Sequence, residues 1–404
     1  MRPTWNYSFR FCCTYFGLYT LATQIGGSLI LIPFVSFRGL GLLWPMREIT
    51  VWIGEHIFHT TSSLVFAGNS RDTDFFWIQT FWLLMVAILA TAVWSVVDRR
   101  REDYTTLQKW FRVFIRLAVA SQMFEYGMTK IIPVQFPAPS LITLVTPVGN
   151  LSRQGLLWTF IGAAPAYEIA TGCAELLAGI LLLIPRTAIL GALVAFADMA
   201  QVFLLNMTYD VGVKLVSFHL LMMSLFLLVS STRTELFRSA RANRIAVALQ
   251  IVFGIYMLAM QADVNGVYWY REGGGAPKSA LYGIWDVEQL SIDGQVHPAV
   301  LNDYDRRWRR AIFDASDSMA FQRTDDSFAH YGASIDIRNN TLALMKGRSG
   351  KWRADFTFQR PAEDQLILDG EMDGYKIRMQ LQLVNFDTFR ILNSGFRWVR
   401  PPDP

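Results

Sequence analysis

Glu168 and Glu175 stand seven residues apart in an otherwise uncharged apolar stretch, 156–184. That spacing puts both carboxylates on one face of a helix, with Gly172 and Gly179 on the same side. Similar apolar surroundings hold Arg116, Glu125 and Lys130, then Asp198 and Asn206, then Asp210, Lys214 and His219. Ionisable side chains in such a setting are costly unless they pair or line a polar cavity. Two chemistries follow. Carboxylates and amines within mutual reach hold and pass protons or bind a polar substrate. The same groups also serve as interhelical ion pairs, with the glycines permitting close helix approach. At about 1.5 Å per residue, Glu125 and Glu168 fall at one depth and Arg116 and Glu175 at another, which predicts pairing of the two helices at both levels.

Other reactive residues point to less. His56 and His59 have a spacing compatible with metal ligation but no third ligand nearby, so the sequence predicts no metal site and an aromatic-rich interfacial face instead. Cys12 and Cys13 are adjacent, Cys173 is isolated, and no C-x-x-C occurs, which argues against a disulfide framework or a dithiol mechanism. There is no haem C-x-x-C-H and no G-x-G-x-x-G after a strand.

The elements that must position these residues are long and apolar. Hydrophobic residues make up 52% of the chain and charged residues 17%, against about a quarter charged in a soluble protein. A crossing helix needs about 20 mostly apolar residues. Seven stretches qualify: 14–35, 76–97, 113–132, 156–184, 187–207, 211–229 and 245–262. The first lacks a cleavage-site pattern and reads as an anchor. With the N-terminus inside, cytoplasmic segments hold twelve Lys and Arg residues, including Arg99, Arg100, Arg101, Arg233, Arg238, Arg241 and Arg244, against six on the other side. The bias predicts a cytoplasmic N-terminus and an external tail, periplasmic in a bacterium with two membranes. Residues 48–66 carry Glu48, Glu55, His56 and His59 and read as an amphipathic or re-entrant outer segment. The net charge of +4 resides beside the crossings, where lipid headgroups rather than nucleic acid are the expected partner.

After a linker with Gly273, Gly274, Gly275 and Pro277 the pattern changes to short alternating runs: 283–292, 309–313, 319–323, 333–337, 341–345, 352–358, 365–369 and 375–383. Asn339-Asn340 and Asp373-Gly374 are turn signals between them. The expected architecture is therefore a polytopic α-helical membrane bundle of about seven helices (1–265), a linker (266–279) and a small all-β barrel (280–404). Gly283-Ile-Trp285 resembles the G-x-W signature of the calycin and lipocalin barrels. That resemblance implies a Trp closing one barrel end against a late basic residue, Arg390 or Arg397, around an interior that holds an apolar ligand or is filled by side chains.

Several motifs resemble those of DoxX-like membrane proteins: Tyr126-Gly-x-x-Lys130, Gln135-Phe-Pro-Ala-Pro-Ser140, Gly155-Leu-Leu-Trp158, Tyr167-x-x-x-x-Gly172-x-x-Glu175 and Tyr209-Asp-Val-Gly-Val-Lys214. The tail segment Gly395-Phe-Arg-Trp398 is similar to that of longer members, whereas the ending at 399–404 departs from their pattern. The resemblance implies Tyr126, Lys130, Glu175, Asp210 and Lys214 as site residues, beside Glu168 from the reading above. It also implies a redox-linked function in quinone or sulfur and thiol metabolism, with a membrane or periplasmic partner carrying the electrons. On this basis an enzymatic role would be that of an oxidoreductase subunit. A transporter or lipid- and small-molecule-binding protein, and a non-enzymatic scaffold, are the competing classes.

Overall fold

A computed structural model describes residues 3–30, 37–60, 70–101, 104–230, 244–298, 307–347, 352–393 and 398–399. The sequence motif at 395–397, the final residues 400–404 and the arginine-rich loop 231–243 lie outside the described residues, as do parts of the first expected crossing and of 48–66. In chain order the helices are α1 (Pro3–Ala22), α2 (Gln24–Leu29), α3 (Met46–His56), α4 (Asp74–Val97), α5 (Thr105–Ile131), α6 (Leu141–Val145), α7 (Arg153–Gly162), α8 (Pro165–Leu183), α9 (Ala188–Thr208), α10 (Lys214–Ser230) and α11 (Arg244–Arg271). The chain divides into two compact units, Met1–Gln135 with Ala166–Val267, and Phe136–Pro165 with Tyr268–Pro404.

The first unit is helical and turned inside out relative to a soluble protein. Leu89, Val93 and Val97 of α4 and Leu190, Leu193 and Leu204 of α9 are exposed, while Gln122, Lys130, Glu168, Glu175 and His219 are buried. Among the described residues, four helices have the length and apolarity to cross a membrane: α4, α8, α9 and the Ile245–Arg271 part of α11. That is fewer than the seven expected, and each shortfall has a reason. α10 has 17 residues, about 25 Å, short of the roughly 30 Å hydrocarbon core. α5 is long enough but carries Lys109, Arg112, Arg116, Glu125 and Lys130. α1 stops at Ala22, and the chain restarts as the short α2.

The fourth expected crossing, 156–184, is also corrected. It is two helices, α7 and α8, separated at Ala163-Ala164. Pro165 cannot donate the backbone bond that would continue α7, but its fixed φ suits the first turn of α8. Between the charged segments, α3 is an 11-residue helix with Trp52 and Ile49 exposed. His56 stacks on Trp52 at 4.7 Å between ring centroids and its Nδ1 lies 2.9 Å from the Trp52 carbonyl oxygen.

The second unit is a barrel. Its strands are β1 (Lys278–Ile292), β2 (Gln295–His297), β3 (Trp308–Ala315), β4 (Ser318–Arg323), β5 (Phe328–Asp336), β6 (Thr341–Lys346), β7 (Trp352–Ala362), β8 (Gln365–Met372) and β9 (Tyr375–Leu383). Every pairing is antiparallel: β1 pairs with β2 and β3, β3 to β9 pair in chain order, and β1 pairs with β9 to close eight strands. The short β2 folds back on the end of β1 through Asp293-Gly294, both at positive φ. All eight expected runs fall on strands of the barrel, and both turn signals occupy hairpins. Alternation sets the core: Ala354, Phe356 and Phe358 on β7, Leu366 and Leu368 on β8, and Ile377, Met379 and Leu381 on β9 are buried. With Trp285, Phe313 and Phe321 they occupy the barrel interior. α6 belongs to this unit: Leu141 packs with Ile284 and Ile312, its N–H donates to Asp314 Oδ2 at 3.0 Å, and the buried Gln322 Nε2 donates to the Val145 carbonyl at 3.2 Å.

Trp285 is fully buried and its Nε1 donates to the Leu281 carbonyl at 2.9 Å. A basic group over its ring among the described residues is Arg360, on β7, with Cζ at 5.7 Å from the centroid. Of the two expected partners, Arg390 opens a final short helix, α12 (Arg390–Asn393), and Arg397 lies outside the described residues. A Cβ on Gly283 would come within 2.4 Å of the Leu383 Cδ1 and 3.3 Å of the Trp285 Nε1, so a larger residue there would displace the Leu383 side chain.

Candidate functional site

The buried face of α8 runs Glu168, Gly172, Glu175, Gly179 and Leu182, while Ile169, Leu177 and Ile180 point outward. This 4-3-4-3 spacing follows from the helical repeat and presents both carboxylates to the interior. The two glycines admit α5 at backbone contact. A Cβ on Gly172 would lie 2.7 Å from the Gly127 carbonyl oxygen and 2.8 Å from the Lys130 Cβ, and one on Gly179 would lie 2.6 Å from the Phe124 ring.

That approach delivers Lys130, in the last turn of α5, to Glu175. The Nζ–Oε1 distance is 2.5 Å, and the two side chains are 9% and 2% exposed. The ammonium also lies 5.7 Å from the centroid of the Tyr126 ring, one turn back on α5. Asp198 of α9 is within electrostatic reach of both Lys130 and Glu175. Two carboxylate oxygens in this centre, Glu175 Oε2 and Asp198 Oδ2, are shielded from solvent and have no hydrogen-bond partner among the described residues.

A polar array continues from Tyr126. Its hydroxyl accepts from Gln24 Nε2 at 2.7 Å, and Gln24 Oε1 accepts from Arg71 Nε at 3.0 Å. Gln122 Nε2 donates to Ser28 Oγ at 2.7 Å and to Glu125 Oε2 at 2.9 Å, and the Ser28 hydroxyl also donates to Glu125. Glu125 thus pairs with neutral donors and not with the other carboxylates.

The expected pairing of Arg116 with Glu175 is contradicted. Arg116 donates to the Leu182 and Leu183 carbonyls at 2.9 and 3.2 Å and to Gln250 Oε1 at 2.8 Å, so it caps the C-terminus of α8. The depth count failed because α8 begins at Pro165 and not near residue 156.

Of the residues singled out from sequence, Tyr126, Lys130 and Glu175 come together. Glu168 is fully buried in the first turn of α8, two turns and about 10 Å along the axis from Glu175. Asp210 and Lys214 form a separate pair at 2.7 Å, with Asp210 82% exposed. Asp72 completes it by accepting from the backbone N–H groups of Lys214 and Leu215 at 2.7 and 3.0 Å, which caps α10. His219 is engaged elsewhere: its Nδ1 donates to the Leu215 carbonyl at 2.6 Å and its Nε2 accepts from the Tyr15 hydroxyl at 2.7 Å.

Fold and centre together define a helical membrane protein with a buried, incompletely satisfied ion-pair site and a closed β-barrel domain. Over 116 residues the chain is 39% identical to Uncharacterized protein YwoB of Bacillus subtilis (strain 168), a match covering 28% of this chain and 71% of that protein. The chain belongs to the family of that protein. Comparison with models of known protein families gives no match, and comparison with solved structures gives none.

Proposed function

We propose that this chain is a DoxX-like protein of the bacterial plasma membrane in which the Lys130–Glu175–Asp198 centre exchanges protons with a quinone- or thiol-linked redox reaction. A partner protein supplies the electron carrier. The observation that carries this reading is the pair of shielded, unpartnered oxygens, Glu175 Oε2 and Asp198 Oδ2, beside a single ammonium among helices whose outer faces are apolar. A structural ion pair satisfies its lone pairs, because unmade hydrogen bonds are expensive in a low-dielectric interior. A site that must accept a hydroxyl or a proton keeps acceptors open. The residues fit a quinone headgroup: Lys130 and Tyr126 are donors for a quinone oxygen, and the two free carboxylate oxygens are acceptors for quinol hydroxyls.

In this reading α1, α5 and α10 cross the membrane beside the four apolar helices. Their charges are turned inward, as Arg10 to the Tyr104 hydroxyl and the Asp98 carbonyl, Arg116 to the α8 carbonyls and Lys130 to Glu175. Seven crossings, with the arginine bias of the sequence, support a cytoplasmic N-terminus and a calycin-like barrel outside. The test is to purify the full chain in mild detergent and quantify copurifying quinone and proteins. Quinone or a flavin-, haem- or thiol-bearing partner, depleted in Glu175→Gln, is the expected result. A protein that retains neither, or retains them equally in Glu175→Gln, contradicts the reading.

A further inference from the structure

We infer that Arg71 and Gln24 are positioning residues that reserve the Tyr126 hydroxyl proton for a carbonyl oxygen of the bound quinone. The identity of that oxygen rests on the proposed function. The direction of the hydrogen bonds belongs to the folded protein at rest.

A glutamine amide can face either way, because its oxygen and nitrogen ends have nearly the same shape. At Gln24 one neighbour removes the choice. A guanidinium has donors and no acceptor, so the Gln24 atom 3.0 Å from Arg71 Nε is the oxygen. The amide nitrogen then turns to the Tyr126 hydroxyl at 2.7 Å and to Gln122 Oε1 at 3.1 Å. Gln122 is oriented in its turn. With its oxygen accepting from Gln24, its nitrogen faces Ser28 Oγ at 2.7 Å and Glu125 Oε2 at 2.9 Å. The Ser28 hydroxyl donates onward to Glu125 and to the Gln24 backbone carbonyl, the latter at 3.1 Å. Every bond in the array therefore runs away from Arg71. Arg71 is itself anchored independently of the array: its backbone N–H donates to the Gly212 carbonyl at 2.6 Å, and its Cζ lies 5.8 Å from the centroid of the Phe76 ring.

The consequence falls on Tyr126. Its hydroxyl already accepts from Gln24, and among the described residues its own proton has no acceptor. Lys130, one turn on along α5, places its ammonium 5.7 Å from the centroid of the same ring and has further N–H groups beside the one used on Glu175. This end of the site thus presents donors. A quinone carbonyl accepts from them, whereas a quinol hydroxyl brings a proton that meets no acceptor at Tyr126. The array makes Tyr126 select the oxidised ligand, and a site built to donate loses most when its direction is reversed.

Gln24→Glu reverses it: a carboxylate replaces the amide nitrogen and takes the Tyr126 proton, while the contact with Arg71 is kept. Infrared spectroscopy of the full-length, ligand-free protein in detergent reads this without any activity. A phenol C–O stretch rises in frequency when the hydroxyl only accepts and falls when it donates. The Tyr126 band, isolated in each background by subtracting the Tyr126→Phe variant, should move down in Gln24→Glu, and an unmoved or raised band would overturn the inference. Equilibrium dialysis of decylubiquinone against the same proteins gives a second reading. Tyr126→Phe and Gln24→Glu should each weaken binding about tenfold, and the double variant no further. Arg71→Lys keeps a donor toward Gln24 and should bind as wild type, whereas Arg71→Met frees the amide to turn and should lose several-fold. Additive losses in the double variant, or equal binding by the two Arg71 variants, would overturn the inference, and the Arg71 pair decides the matter if Gln24→Glu does not fold. A wild type that binds no decylubiquinone refutes the proposed function instead, and the C–O stretch still reports the direction of the bond.

Discussion

Truncating Trp285 tests whether the barrel is built as described, because this side chain combines several separable contacts. It is fully buried in the core cluster with Leu281, Phe313 and Leu381, donates to the Leu281 carbonyl at 2.9 Å, and lies beneath the Arg360 guanidinium at 5.7 Å. Trp→Ala in a packed core costs about 3–5 kcal/mol through lost burial and the cavity left behind. Trp285→Phe keeps most of the ring and loses the indole donor, so it should cost about 1–2 kcal/mol. Arg360→Ala removes an exposed cation from the ring face and should cost about 0.5–1 kcal/mol. At roughly 2–4 °C per kcal/mol for a unit of this size, Trp285→Ala should lower the barrel melting point by about 6–20 °C. Melting of the full-length protein in detergent, with hydrogen exchange followed at β1 and β9, localises the effect. The expected order of destabilisation is Ala over Phe at Trp285, then Arg360→Ala. A Trp285→Ala shift below about 2 °C, or protection lost outside the barrel first, would refute the reasoning.

Three further outcomes follow from the structure and sequence. Alkaline phosphatase fused after Pro404 should be active, and a silent fusion with a bright cytoplasmic reporter at the same site would reverse the proposed topology. Gly172→Ala should reduce extraction yield and thermal stability, since its Cβ would meet Gly127 and Lys130 at under 3 Å and overpacking costs about 1–3 kcal/mol; wild-type stability would contradict the α5–α8 contact. In the β5–β6 turn, the Asn339 side chain, then the backbone N–H groups of Asn339 and Arg338, hold Asp336 below the usual carboxylate range. A depressed folded-state value contributes stability above the unfolded value and loses it as pH falls through the folded one. The destabilisation caused by Asn339→Ala should therefore be present at neutral pH and fade below about pH 3.9, and a pH-independent difference would contradict it.

The barrel was legible in the sequence because a strand announces itself locally. Period-two alternation in runs such as 375–383, together with Asp373-Gly374 at positive φ, fixes both the faces and the turn. The contact over Trp285 was not, since which arginine reaches a given ring depends on barrel closure, and Arg360 is no more marked in sequence than Arg390. In the helical unit, the shared face of Glu168 and Glu175 could be read from spacing alone. Their partners could not. Treating 156–184 as one helix passed over Pro165, and the resulting depth error exchanged Lys130 for Arg116 opposite Glu175. Gln24, Ser28 and Gln122 escaped a search for ionisable groups because they are neutral, although Gln122 precedes Glu125 and Tyr126 by the three and four residues that bring side chains together on a helix. Asp198 was visible as a charge in an apolar stretch, but only tertiary packing brings it within electrostatic reach of Lys130 and Glu175.

The most direct measurement of the central claim is growth of a strain lacking this protein, supplied with Glu175→Gln at wild-type membrane levels. Because Asp198 is within electrostatic reach of Lys130, the substitution leaves one carboxylate in the neighbourhood of the ammonium, and stability should fall by less than the about 3–5 kcal/mol expected for stranding a buried ion. The account predicts a protein that extracts and melts close to wild type yet fails to restore growth. Full growth with Glu175→Gln would contradict it, and would leave Lys130 and Glu175 as a packing device between α5 and α8.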